Sequence, residues 1–337
     1  MKKLSILLSA LLCGLCLFGG AACGTEEKSY SVYAPDGAPA LALAQAISQE
    51  QADGNLFEYR VISAATVVAQ VTGENPAADF CVLPVNATGK LLGTGEQYKM
   101  LGTVTNGNMY FLTTGKNPPI TEENLSAALT GKTVGVVQLT NVPGLTFQTV
   151  LKEKKIPYTI GGEAQTDKVN LKAIQDAAAE VTPAGGCDYY LCPEPAASTK
   201  IAKTAQSPKP FHLAGDLQKL YGGEEGYPQA VLVVKSSLLE EDANAVKTLV
   251  SHFEKGAEFL RTASSEQVLS LLAEKRTQGL TPSFTAENLT AEVIKNCSVR
   301  FTKSADCKDS VNAFLEKLKE IDPQFTAPAQ DAFFATV

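Results

Sequence analysis

Three joints, each setting proline or glycine between a β-type run and a helical run, constrain this chain more than any other feature. The first, Ala34-Pro-Asp-Gly-Ala-Pro39, lies between the strand-like Ser29–Tyr33 and the helix-like Ala40–Ile47. The second, Thr140-Asn-Val-Pro-Gly144, follows the apolar run Thr133–Gln138, and the third, Pro193-Glu-Pro195, follows Asp188–Cys192. Proline suits a first helical turn, where its missing N–H has no partner to lose, and glycine allows the bend before it. Each joint aims unpaired backbone N–H groups past a strand end. Three such joints spread over one chain read as the walls of a cleft for a small molecule.

Between the joints, strands alternate with helices. Glu58–Ile62 leads into Ser63–Thr66 and a helical pattern at Val67, Val68 and Val71. Phe80–Leu83 leads into Pro84–Thr88, and Tyr98–Gly102 and Met109–Thr113 flank Thr105–Asn108. A second set holds strand 133–138, a helix from Pro143 to Lys155, strand Tyr158–Ile160, a helix over Lys168–Glu180, strand Asp188–Cys192 and a helix from Pro195. The last third opens on strand Gln229–Val234 and is otherwise helical, with apolar stripes such as Val246, Leu249, Val250 and Phe253 that read as core. The alternation predicts an α/β protein with mainly parallel sheets, whose ligands gather at the carboxyl ends of strands. Breaks at Thr114–Pro119 and near Tyr221–Gly226 divide the chain.

The amino terminus reads as an export signal: Lys2-Lys3, an apolar run Leu4–Phe18, and Gly19-Gly-Ala-Ala-Cys23. A cysteine directly after small residues predicts a bacterial lipoprotein leader over 1–22, lipidation of Cys23, a tether over 23–28, and a protein anchored on the extracytoplasmic face of the cell membrane. Gly20 stands where such leaders usually carry leucine. Loss of Lys2 and Lys3 moves the net charge from −7 to −9, and no basic patch invites nucleic acid. Cys13, Cys16 and Cys23 belong to the leader. Of the remaining five, Cys297 and Cys307 are the best disulfide pair, flanking a segment that can fold back on itself. Cys187 and Cys192 are separated by about 17 Å of strand, against the roughly 7 Å that a disulfide spans. Cys81 reads as a small buried hydrophobe. With only His212 and His252 there is no zinc-ligand spacing, and no cofactor is expected.

The order of these segments resembles the solute-binding proteins of ABC importers, in the branch handling nitrate, sulfonates and the thiamine pyrimidine precursor. The resemblance runs from about Ser29 to Leu318. It rests on Ala34–Ala40, Ala78–Ala87, Leu101–Asn108, Gly131–Gln138, Val142-Pro-Gly144 and Asp188–Pro195. It implies a bilobal, type II periplasmic-binding-protein fold: lobe one from 29–114 plus 228–337, lobe two from 115–227, a hinge, and a ligand held between them for delivery to a membrane permease.

Ten residues are candidates for ligand contact. Asp36 either accepts a donor from the ligand or braces its own turn. Ala38 offers backbone N–H at a helix start to an anionic or carbonyl oxygen. Ser63, like Thr66, is an N-cap or a contact. Asn86 and Thr88 follow a strand end, where the resemblance favours contact. Asn108 begins a strand after a tight turn that also suits asparagine on backbone grounds alone. Gln138, Thr140 and Asn141 offer donors and acceptors at a helix start. Glu194 either stabilises the next helix N-terminus or recognises an amino or amidine group. Tyr189, Tyr190 and Tyr227 are available as an aromatic wall, although Tyr189 and Tyr190 cannot face it together. Helix N-termini suit an anion and Glu194 a cation, so the expected solute is an amino-substituted heterocycle, a sulfonate or a zwitterion. A surface sensor on the same scaffold is the alternative. An enzyme is a third reading, with no cysteine–histidine cluster to support it.

Overall fold

Residues 28–324 and 326–337 are described by a computed structural model. The leader, Cys23 and the residues up to 27 lie outside the described residues. Among the described residues twelve strands form two six-stranded sheets. In chain order they are β1 Tyr30–Pro35, β2 Phe57–Ile62, β3 Phe80–Pro84, β4 Tyr98–Thr105, β5 Met109–Thr114, β6 Thr133–Val137, β7 Tyr158–Ile160, β8 Val169–Ile174, β9 Tyr189–Pro193, β10 Phe211–Asp216, β11 Ala230–Lys235 and β12 Val299–Lys303. The first sheet runs β12-β4-β11-β3-β1-β2 and the second β10-β5-β9-β6-β8-β7.

The central strands are near-continuous apolar runs because helices cover both faces of each sheet. Alternate side chains enter different cores. Cys81, Leu83, Val231 and Val233 join one cluster, while Phe80, Val82, Leu232 and Val234 join another on the opposite face of the first sheet. In the second sheet Phe111, Val134 and Leu191 belong to the first cluster, and Tyr110, Val137, Tyr190 and Cys192 to a third. One core is therefore shared by both sheets, and two are private. Each fully buried ring, Phe80 or Phe111 for example, contributes about 1.5–3 kcal/mol through burial.

Both sheets are mixed. The parallel blocks are β3-β1-β2 and β9-β6-β8-β7, whereas β5 and β11 each run antiparallel to both neighbours. These two are the strands that the chain enters on passing from one sheet to the other, through 106–108 and 226–229. Three or four residues reach only about 10–14 Å. The entered strand therefore starts at the edge where the parallel strands end, and runs away from it. Gly107 makes the first passage possible: its φ is +88°, and a Cβ there would lie 2.5 Å from Gln218 Cγ and 2.7 Å from the Tyr227 ring.

Three expectations are corrected. Met109–Thr114, expected in lobe one, is β5 of the second sheet, and 114–119 is a loop within that lobe; Asn106–Asn108, read as a tight turn, is the passage between the sheets. Lys168–Glu180 is not a helix. Val169–Ile174 is β8, buried between β6 and β7, and only the turn Ala177–Glu180 is helical, capped by Asp176 accepting from Ala178 N and Ala179 N. Cys297 and Cys307 are free thiols. They lie in cores on opposite faces of the first sheet, with β12 between them in sequence, and burial raises both thiol pKa values. Among the described residues no helix is long and apolar enough to cross a membrane.

Candidate functional site

A cavity of about 1280 Å³ opens between the sheets at the carboxyl ends of their strands. Pro35, Asp36 and Gly37 at the end of β1, Pro84 and Asn86 at the end of β3, Gln138 after β6 and Pro193–Pro195 at the end of β9 form its walls, and Asn108 and Gln229 lie at the two passages.

Seven of the ten candidates line it: Asp36, Asn86, Asn108, Gln138, Thr140, Asn141 and Glu194. Ala38 is buried and does not. Thr88 is wholly buried, its hydroxyl donating to Val85 O at 2.6 Å. Ser63 Oγ accepts from Ala65 N at 3.3 Å, so it closes a turn; the helix expected after it is a single 3-10 turn, Val68–Gln70. Tyr189 donates to Pro118 O, Tyr190 to Thr182 O, and Tyr227 lies in the shared core stacked on Phe314. None of the three lines the cleft, and no aromatic ring stands among its described lining residues.

Gln138, Thr140 and Asn141 are exposed to the cavity on the loop before helix Val142–Glu153. Gln138 sits at φ +58° and its carbonyl accepts from Asn141 N at 3.0 Å. Asn141 occupies the N-cap position without a side-chain cap, which leaves its amide to the cleft. Gly144 lets this helix start close against the loop, since a Cβ there would sit 2.2 Å from Leu139 O.

Three carboxylates line the cleft, Asp36, Glu194 and Asp322, and none is without a partner. Asp36 Oδ2 accepts from Ser283 N at 2.6 Å, and Oδ1 lies 3.4 Å from Arg276 Nη2. Glu194 Oε1 accepts from Ser198 Oγ at 2.7 Å and Asn296 Nδ2 at 3.1 Å, and Oε2 from Ser198 N at 3.1 Å in the first turn of helix Ala196–Thr204. A carboxylate holding three donors has little capacity left for a ligand cation. Asn108 is tied to the floor, donating to Glu194 O and accepting from Gln229 Nε2 at 3.0 Å.

Lining cations were missed by the sequence reading. Lys200 and Lys203 project into the cleft from helix Ala196–Thr204 and Lys90 from helix Val85–Leu92. Lys200 Nζ donates to Ala178 O at 2.7 Å, and burial lowers its pKa from the ordinary lysine value. Ser283 and Asn288 reach the cleft from an irregular loop of the first lobe. Nothing local marks that loop: it is placed by Asp36, 247 residues away in sequence. The spacing of Lys200 and Lys203 was readable as one helix face, but only the fold shows that it faces inward.

No protein-family model and no curated protein matches the sequence. Solved structures do. An ABC transporter structure from Parabacteroides distasonis superposes with a TM-score of 0.68 at 16% identity, over 92% of this chain and 99% of that one. The periplasmic aliphatic sulphonate binding protein SsuA from Escherichia coli gives 0.57 at 14%, covering 89% and 95%. DszB, solved as a cysteine-to-serine mutant with biphenyl-2-sulfinic acid, gives 0.56 at 16%, covering 91% and 96%. The chain has the two-lobed α/β fold of ABC-importer solute-binding proteins, a fold also found in an enzyme.

Proposed function

We propose that this protein captures a small aliphatic anion, a sulfonate or carboxylate, between its lobes and delivers it to the permease of an ABC importer. In this reading Cys23 carries the lipid that holds it on the outer face of the cell membrane. The observation that carries it is the chemistry of the cleft. Lys200 and Lys203 stand among amides and hydroxyls, Asp36 and Glu194 each accept hydrogen bonds from within the protein, and apolar lining comes from aliphatic residues such as Ala64, Val68, Ala87 and Leu91. A heterocycle finds no ring to stack on among the described lining residues, and each lining carboxylate, Asp36, Glu194 and Asp322, already has a partner. Neither His212 nor His252 lines the cavity.

A thermal-shift screen tests this with short alkanesulfonates, aliphatic carboxylates, pyrimidines and polyamines. A ligand at a hundred times its dissociation constant adds about 2.7 kcal/mol to the native state, a shift of several degrees. Shifts with the anions are expected; shifts confined to pyrimidines or polyamines would overturn the assignment of solute.

A further inference from the structure

On one face of the two sheets the lobes share a single apolar core. On the opposite face each lobe keeps its own, and what crosses between them is polar. Among the described residues three hydrogen bonds make that second crossing, and all involve one short stretch of lobe one. Asn288 Nδ2 donates to Thr199 Oγ1 at 3.3 Å. Asn296 Nδ2 donates to Glu194 Oε1 at 3.1 Å. Tyr110 Oη of lobe two donates to the Asn296 carbonyl at 3.1 Å.

The stretch is held in shape before it reaches across. Asp36 fixes Ser283 N, Asn288 Oδ1 accepts from Thr285 N at 2.8 Å, and Thr290 caps helix Ala291–Asn296 by accepting from Val293 N at 3.2 Å. Val293, Ile294 and Cys297 root it in the private core of lobe one. Its targets, Glu194 and Thr199, lie at the start of helix Ala196–Thr204, the helix that presents Lys200 and Lys203 to the cleft.

We propose that Asn288 and Asn296 are a detachable latch. The lobes swing about the shared core, and making or breaking these three hydrogen bonds closes or opens the cleft on the other face. Separating polar pairs into water costs far less than exposing a packed core, since protein–water bonds replace those lost. Closing the latch sets the position of the lysine-bearing helix, so both asparagines are positioning residues. This last consequence rests on the solute-capture reading; the latch itself does not.

The test begins without solute, by small-angle scattering. The substitutions Tyr110→Phe and Thr199→Val are nearly isosteric and leave the bracing bonds of Asn288 intact; Asn296→Ala is added to them. A compact chain of this length has a radius of gyration of about 20 Å. The expected result is a larger radius in the triple variant than in the wild type, reverted in part when Thr199 is Ser rather than Val. Identical scattering from wild type and triple variant overturns the latch. With butane-1-sulfonate as probe, the triple variant should also release it roughly fivefold faster or more, the weight of about one hydrogen bond. Unchanged release from a bound probe overturns the positioning role. Failure of the probe to bind wild type counts against the capture reading alone, and the scattering still decides the latch.

Discussion

On the face bearing Phe314, helix Ser304–Lys319 of lobe one meets lobe two through rings: Phe314 lies 5.2 Å from Tyr221 and 5.7 Å from Tyr227. Around this contact Leu217, Leu220, Leu315 and Leu318 complete a core common to both sheets. On the face bearing Asn296, private cores stand apart and amides, two hydroxyls and a carboxylate span the gap. The two faces are unequal in kind. A shared apolar core resists separation in proportion to its area, while polar contacts exchange with water at small net cost. One side therefore serves as pivot and the other as door.

The largest effect is expected at the pivot. Phe314→Ala should cost about 3–5 kcal/mol, as ring deletions in packed cores do, with a correspondingly lower denaturation midpoint. A midpoint near that of wild type would show that the lobes are not joined there. Gly107→Ala comes next, at roughly 1–3 kcal/mol, because the backbone is left-handed and a Cβ meets the Tyr227 ring; chemical denaturation measures it. In the cleft, Lys200→Gln should weaken anion binding about tenfold or more, the scale of one charge-assisted hydrogen bond, with little loss of stability.

The pH dependence follows with its sign. Burial depresses the Lys200 pKa, so the folded protein disfavours its charge and loses no stability when that proton leaves. Anion affinity requires the proton, and calorimetric titration at increasing pH should show it falling from below the usual lysine value of 10.5. Smallest of all are the ion pairs over the pivot, Lys317–Glu153 at 2.8 Å and Lys152–Glu320 at 2.9 Å, all of them substantially exposed. Lys317→Ala should change stability by about 0–1 kcal/mol, and less in salt. An effect as large as that of Phe314→Ala would make the pivot electrostatic and erase the contrast between the faces.

Much of this architecture is legible in the sequence, and what is not has a common cause. Pro39, Pro143 and Pro195 mark strand-to-helix joints because backbone chemistry is local, and the residues at those joints do line the cleft. Asn106-Gly-Asn108 reads as a tight turn from its residues alone, and only the pairing of β5 with β9 shows that it carries the chain from one sheet to the other. Val169–Ile174 reads as helix from its neighbours' propensity, and burial between β6 and β8's other partner β7 makes it strand. Glu194 is recognisable as a helix-start carboxylate, but its partner Asn296 lies 102 residues away. Lys200 and Lys203 are legible as one helix face but not as facing inward, and Ser283 and Asn288 reach the cleft through long-range packing that leaves no local trace.

The central claim is that one anion sits between the lobes beside Lys200 and Lys203. Isothermal titration of wild type and the Lys200→Gln/Lys203→Gln variant with a homologous series of alkanesulfonates and carboxylates addresses it most directly. One site per chain is expected in the wild type, with affinity that rises with chain length until the cavity is filled, and loss of most of it in the variant while the fold persists by circular dichroism. Equal binding by both proteins, or binding only of uncharged or cationic solutes, would contradict it.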